Sequence, residues 1–280
     1  MDAHTVWEVM KWPLAASLLL PPLLAYLGLH VVKREVIFVD LALAQVATLG
    51  TCVALLLGYH FDSPTTFWIS LAVTFVGAAF FSWSRSTGES EVPQEAIIGI
   101  TFVVAAAGVI LLLSRVVGGK EELEHLLTGD ILNVTKGEVA QRAVLFAALG
   151  VFYGAFHRRF ALISSDPKQA FAQGMRVRLW DFLFYAAFAI VVVSFVRVAG
   201  VLLTFAYLIV PAVCGVMLAR TWMRQLVIGW ATAAMASLLG LWASYQLDLP
   251  TGAAIVCVCG LLLVLVALYA AARRTRAAVT

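Results

Sequence analysis

The sequence predicts an all-α, polytopic membrane protein with about nine (eight to nine) transmembrane helices in one domain, residues 1–280. Two observations carry this. First, 62% of the residues are hydrophobic and only 12% are charged, with a mean hydropathy of +0.96. Soluble domains run near half apolar and about a quarter charged. Second, the apolar residues gather in runs longer than the ~18 residues that mark a spanning helix. At about 20 residues each, nine spans use roughly 180 residues and leave only short loops. This excludes a soluble globular enzyme, a secreted disulfide scaffold and a disordered chain. A net charge of +3 points to no nucleic-acid partner.

In chain order the runs are about 12–32, 36–58, 67–83, 96–117, 139–156, 180–196, 198–219, 225–244 and 251–272. Only helices satisfy their own backbone in lipid without closing a barrel, and these runs are too continuous for barrel strands. The first ends in Lys33-Arg34 and lacks a basic leader and a small-residue cleavage site, so it reads as a retained span. In the fourth, Gly99, Gly108 and the small residues Ala105-Ala106-Ala107 fit close helix packing. Only Arg197 separates the sixth and seventh runs. That stretch is either a tight hairpin or a broken helix, and it sets the choice between eight spans and nine. Trp12, Trp68, Trp83, Trp180, Trp222 and Trp242 fall near span ends, as an interfacial belt requires. Cys52, Cys214, Cys257 and Cys259 lie in apolar runs and form no CxxC pair.

Charge sets the expected topology. With nine spans and the C-terminus inside, 13 of the 19 basic residues fall on the inner side. The bias places the N-terminus outside and the C-terminus inside. Two loops are large. The outer one, 114–138, carries the acidic run Glu121, Glu122 and Glu124. The inner one, 157–180, is basic and contains Ser164-Ser165-Asp166-Pro167. An Asp or Ser cap followed by Pro at the first helical position is a helix start. The sequence therefore predicts a short helix over about 167–173, closed by Gly174.

Three segments resemble the membrane permease of ABC transporters that take up zinc and manganese. Ser165-Asp-Pro-Lys-Gln-Ala-Phe-Ala-Gln-Gly-Met-Arg-Val-Arg-Leu-Trp-Asp181 resembles that family's cytoplasmic coupling region. Arg197-Val-Ala-Gly-Val-Leu-Leu-Thr-Phe-Ala-Tyr-Leu-Ile-Val-Pro-Ala212 is similar to its Val-Gly-x-Leu-Leu segment. Leu127-Thr-Gly-Asp-Ile-Leu132 resembles its Phe-Gly-Asp-Ile-Leu. The three keep the family's order across most of the chain. The resemblance implies a type II importer-like permease in a bacterial cytoplasmic (inner) membrane, working as a homodimer. A cytoplasmic ATPase subunit would dock at the coupling loop, on Asp166, Pro167, Ala170 and Gly174. An extracytoplasmic solute-binding protein would deliver the cargo. The chain has no GxxxxGK[ST] phosphate loop. It is therefore expected to be no enzyme and to hold no cofactor, with ATP and Mg used by the partner ATPase.

The sequence departs from the family in the second span. Where the family has an Asp and a His four residues apart, this chain has Leu41 and Gln45. Gln45, Thr48 and Cys52 instead form a polar stripe at i, i+3 and i+7. Gln45 is about ten residues from Glu35, which at ~1.5 Å per residue puts it near the middle of a ~30 Å core. It either bonds another helix or lines a path. Asp40, roughly 140° around the helix from Gln45, either pairs with Lys33 or Arg34 or lines the inner exit of a cation path. At the outer mouth, His60 with Asp62, and Glu121 with His125 one turn later, either form a wet polar surface or collect a divalent cation. The expected function is import of a divalent metal, zinc or manganese. The alternatives are a permease of the same build with a chelated or non-metal cargo, and an ion-coupled secondary transporter.

Overall fold

The computed structural model describes residues 3–61, 63–85, 92–115, 127, 129 and 131–279. Among these there are helices and no strand. Among the described residues ten α-helices follow one another: α1 (Ala3–Lys33), α2 (Val39–Leu56), α3 (Pro64–Ser84), α4 (Gln94–Leu113), α5 (Lys136–Ala155), α6 (His157–Ser165), α7 (Pro167–Ala172), α8 (Val177–Leu218), α9 (Trp222–Leu247) and α10 (Thr251–Val279). A 3-10 turn, Ile131–Asn133, precedes α5. Eight segments among the described residues are long and apolar enough to cross a membrane. The bent pair α5 and α6, 68° apart, makes a ninth if counted as one span. The expected eight to nine spans are thus present.

Local chemistry explains the helix starts. Ser63 caps α3, its Oγ accepting from Thr66 N at 3.2 Å, with Pro64 as the first helical residue. Thr135 and Glu138 form a reciprocal capping box at α5: Glu138 N donates to Thr135 Oγ1 at 3.3 Å, and Thr135 N donates to Glu138 Oε2 at 2.9 Å. The stretch 177–218 holds two candidate spans, Val177–Val196 and Val198–Leu218, with a break in the helical backbone between them. The break falls at Gly200 (φ 74°, ψ 166°), three residues past Arg197. Only glycine occupies that φ without steric cost.

The helices form two compact units. The first comprises Met1–Val32, Thr128–Leu145 and Val198–Thr280. Small residues set its helix contacts. A Cβ on Gly28 would strike the Leu208 carbonyl, and one on Gly240 would strike Ile255. Close backbone approach of this kind is the usual source of helix association in lipid, where apolar burial gives no drive. Pro21 lacks the N–H that would bond the Ser17 carbonyl. Ser237 Oγ donates to that carbonyl instead, at 3.0 Å, and lies 2.6 Å from Tyr207 Oη.

The second unit comprises Lys33–Leu127 and Phe146–Arg197. In it α2 packs against both α3 and α4. Ser70 Oγ on α3 donates to the Ala47 carbonyl at 2.7 Å, and Gly50 sits against Ser70. The second half of α5 meets the first half of α8 through Phe146 stacked on Phe195, with ring centroids 4.6 Å apart. Tyr153 Oη donates to the Phe184 carbonyl at 3.0 Å. The segment 157–165, expected as loop, is helical because Phe160 and Ile163 share one face and are fully buried.

Candidate functional site

The segment 157–180 builds the feature the sequence marked most clearly. Asp166 Oδ1 accepts from Gln169 N at 2.9 Å and caps α7, with Pro167 at its first position. A cap of this kind contributes about 1 kcal/mol. Gly174, at φ 75°, ends the turn, and its N–H donates to the Phe171 carbonyl at 2.9 Å. One side of this six-residue helix is anchored: Ala170 is fully buried beside Ile163 and Val177, with Trp180 packed on the cluster. The opposite side is free. Lys168, Gln169 and Gln173 are exposed, and Phe171 is 61% exposed. Ala170 therefore holds α7 in place and offers no side chain to a partner. Phe171 does, and residue spacing alone did not single it out.

The α2 stripe is buried but not uniform. Asp40, Gln45, Thr48 and Cys52 are all at most 8% exposed. Thr48 Oγ1 donates to the Ala44 carbonyl one turn back, at 2.9 Å. Cys52 lies in an apolar cluster with Val109 and Leu113 of α4. Asp40, in the first turn of α2, keeps a buried Oδ1 with no hydrogen-bond partner. Of the two cations offered as its alternative partners, Arg34 bonds Asp181 and Ser164 instead.

Arg34 is engaged elsewhere. Its Nη1 donates to Asp181 Oδ1 at 2.8 Å and its Nε to Ser164 Oγ at 2.8 Å. The guanidinium also lies over the Phe184 ring, 4.0 Å from its centroid. Arg85, which ends α3, reaches the same carboxylate at 2.6 and 2.7 Å. Asp181 is fully buried. Sequence reading missed this cluster, because its members lie up to 147 residues apart. The available signal was an Asp in the first turns of an apolar run, which demands a cation. Glu95, also missed, has its Oε1 accepting from Phe38 N at 3.1 Å, just before α2.

His60, expected at the outer mouth, is exposed in the turn after α2, its carbonyl accepting from Thr66 Oγ1 at 2.7 Å. Asp62, Glu121 and His125 lie outside the described residues. Among the described residues no three His, Cys, Asp or Glu side chains group as a metal site.

The 3-10 turn region closes the picture. Gly129, at φ 68°, packs directly on the Ala199–Gly200 peptide at the α8 break, where a Cβ would collide. Two of the three segments that carry the family resemblance thus touch one another. The helices and the family match together define a multi-pass transport permease. Residues 6–270 match the ABC 3 transport family, and the chain is a member of it. It is 24% identical to the "Manganese transport system membrane protein MntC" of Listeria monocytogenes over 250 residues, 87% of this chain and 84% of that one. It is 26% identical to the "Probable iron transport system membrane protein" of Haemophilus influenzae, over 89% of each chain. Its fold is shared with the solved structure "PsaBC from Streptococcus pneumoniae in complex with Fab" at a TM-score of 0.78 and 22% identity, covering 95% of this chain and 93% of that one.

Proposed function

We propose that this chain is the membrane permease of an ABC importer for a divalent metal cation, manganese or zinc, in a cytoplasmic membrane. The observation that carries the reading is α7: a capped helix pinned from behind by Ala170 and presenting Phe171 outward. An ATPase subunit docks on that face and supplies the energy this chain cannot generate. A solute-binding protein delivers the ion on the other side of the membrane. Relatives named for manganese and for iron support a metal cargo.

The ion passes along α2. Asp40, buried with an unused carboxylate oxygen, lines the inner exit. Gln45 and Thr48 offer only weak contacts above it, since an amide and hydroxyl hold a divalent transition metal poorly, and Cys52 lies among Val109 and Leu113 in an apolar cluster. Weak transit is functional, because the ion must also leave. His60, Asp62, Glu121 and His125 collect the cation outside. A homodimer with the second spans facing each other doubles the donors, and two-fold symmetry is the commonest closed arrangement. The N-terminus is outside and the C-terminus inside.

The test is uptake of manganese and zinc into proteoliposomes holding the permease, its ATPase and its binding protein. ATP-dependent accumulation of either ion is expected. ATP hydrolysis with no uptake of manganese, zinc or iron would favour the second reading. That reading is a permease of the same build with a chelated or organic cargo, and Leu41 and Gln45 at the family's Asp and His positions support it.

A further inference from the structure

We infer that Asp181 is a positioning residue for coupling. With Arg34 and Arg85 it forms a buried bolt that fastens α6 to the α1–α2 turn and to the end of α3, so a push on α7 moves all three together. This rests on the docking role of α7 proposed above.

Each arginine grips two things at once. Arg34 holds Asp181 through Nη1 and Ser164 through Nε, both at 2.8 Å. Arg85 holds Asp181 through Nη1 and the Ile163 carbonyl through Nη2, at 3.3 Å. The two guanidinium groups therefore seize consecutive residues of α6 and the same carboxylate. A second tie joins α3 to α8: Ser82 Oγ donates to the Arg178 carbonyl at 2.6 Å. Only Asp166 separates α6 from α7, and Ala170 packs on Ile163. The coupling helix has no slack in which to move alone.

The energetics explain why charges are used. A buried ion pair is a poor source of stability, and apolar side chains of like volume often do as well. What the guanidinium fork adds is fixed angles to two partners, which a lysine cannot supply. Pulling any one element away would leave a charge buried and uncompensated, so the joint resists opening and transmits displacement.

The experiment compares wild type with Asp181→Asn, Arg34→Lys and Ser164→Ala, each as the full permease assembled with its ATPase and binding protein. The readout is manganese moved per ATP hydrolysed, beside retention of the ATPase subunit. Asp181→Asn and Arg34→Lys should keep the subunit and its hydrolysis while ions per ATP fall about tenfold, within the usual range of inter-site coupling. Arg34→Lys is the sharper case, since it keeps the charge and loses only the fork. Ser164→Ala, which leaves the ion pairs intact, should fall about threefold. A cargo-free readout is the distance between spin labels at Ile37→Cys and Gln173→Cys, both exposed positions, in the purified permease lacking its four native cysteines. It should be single and narrow in wild type and broad in Asp181→Asn. Wild-type ions per ATP in Asp181→Asn and Arg34→Lys would overturn the inference. So would an unfolded Asp181→Asn together with a Ser164→Ala that matches wild type in both readouts. No metal uptake by wild type, with the label distances behaving as expected, would sink the cargo reading and leave the bolt standing.

Discussion

Arg34 donates Nη1 to Asp181 at 2.8 Å, while Asp40, six residues further along the chain, keeps a buried carboxylate oxygen with no hydrogen-bond partner. One arginine thus chooses a distant carboxylate over a near one. Asp181 accepts from both Arg34 and Arg85, and Asp40 Oδ1 accepts from neither.

Asp40→Asn should lower ion uptake about tenfold, a cost of ~1.4 kcal/mol, without lowering the thermal midpoint of the purified permease. The amide removes a buried charge whose burial is unfavourable. Gln45→Ala should slow uptake less. A fall in thermal stability that matches the fall in uptake would show that Asp40 serves the fold.

The pair Leu41→Asp with Gln45→His should create a tighter site, because a carboxylate and an imidazole four residues apart share one helix face. Metal bound by the purified permease should rise from undetectable to about one ion per chain or fewer when two copies share the site. Uptake should fall as the ion is trapped. Unchanged metal content would place the ion path away from this face of α2.

Phe171→Ala should weaken ATPase docking by about tenfold or more, as truncating an exposed aromatic anchor does, and leave permease stability unchanged. Ala170→Asp acts differently. It buries a carboxylate among Ile163, Val177 and Trp180, so it should destabilise the segment by several kcal/mol, about the cost of an unpaired buried charge. Subunit pull-down and a melting curve, measured side by side, distinguish the two effects.

Ser237→Ala should cost about 1 kcal/mol in detergent unfolding. It strips the donor from the Ser17 carbonyl and the partner from Tyr207 Oη. Gly129→Ala should be worse, above ~2 kcal/mol, since it strains a positive φ and strikes the Ala199–Gly200 peptide. Gly150→Ala is the control: its Cβ meets nothing within 4 Å, so stability should hold or rise. Equal behaviour of the two glycine variants would refute the packing role of Gly129.

The amino-acid sequence by itself determined what depends on composition and near neighbours. The spans follow from apolar runs that must be helical in lipid. The short helix α7 follows from Asp166, Pro167 and Gly174, whose cap, first turn and stop all lie within nine residues and need no partner from elsewhere. The α2 stripe was legible as a pattern, because helical spacing is local, but its surroundings were not. Only the tertiary structure decided that Cys52 faces α4, that Ala170 points inward and Phe171 outward, and that α8 breaks at Gly200 and not at Arg197. It alone brought Arg34, Arg85, Ser164 and Asp181 together. Those outcomes turn on which distant groups come within hydrogen-bond or van der Waals reach, and a charge in lipid goes to whichever partner the packing presents, however far away it lies in the chain.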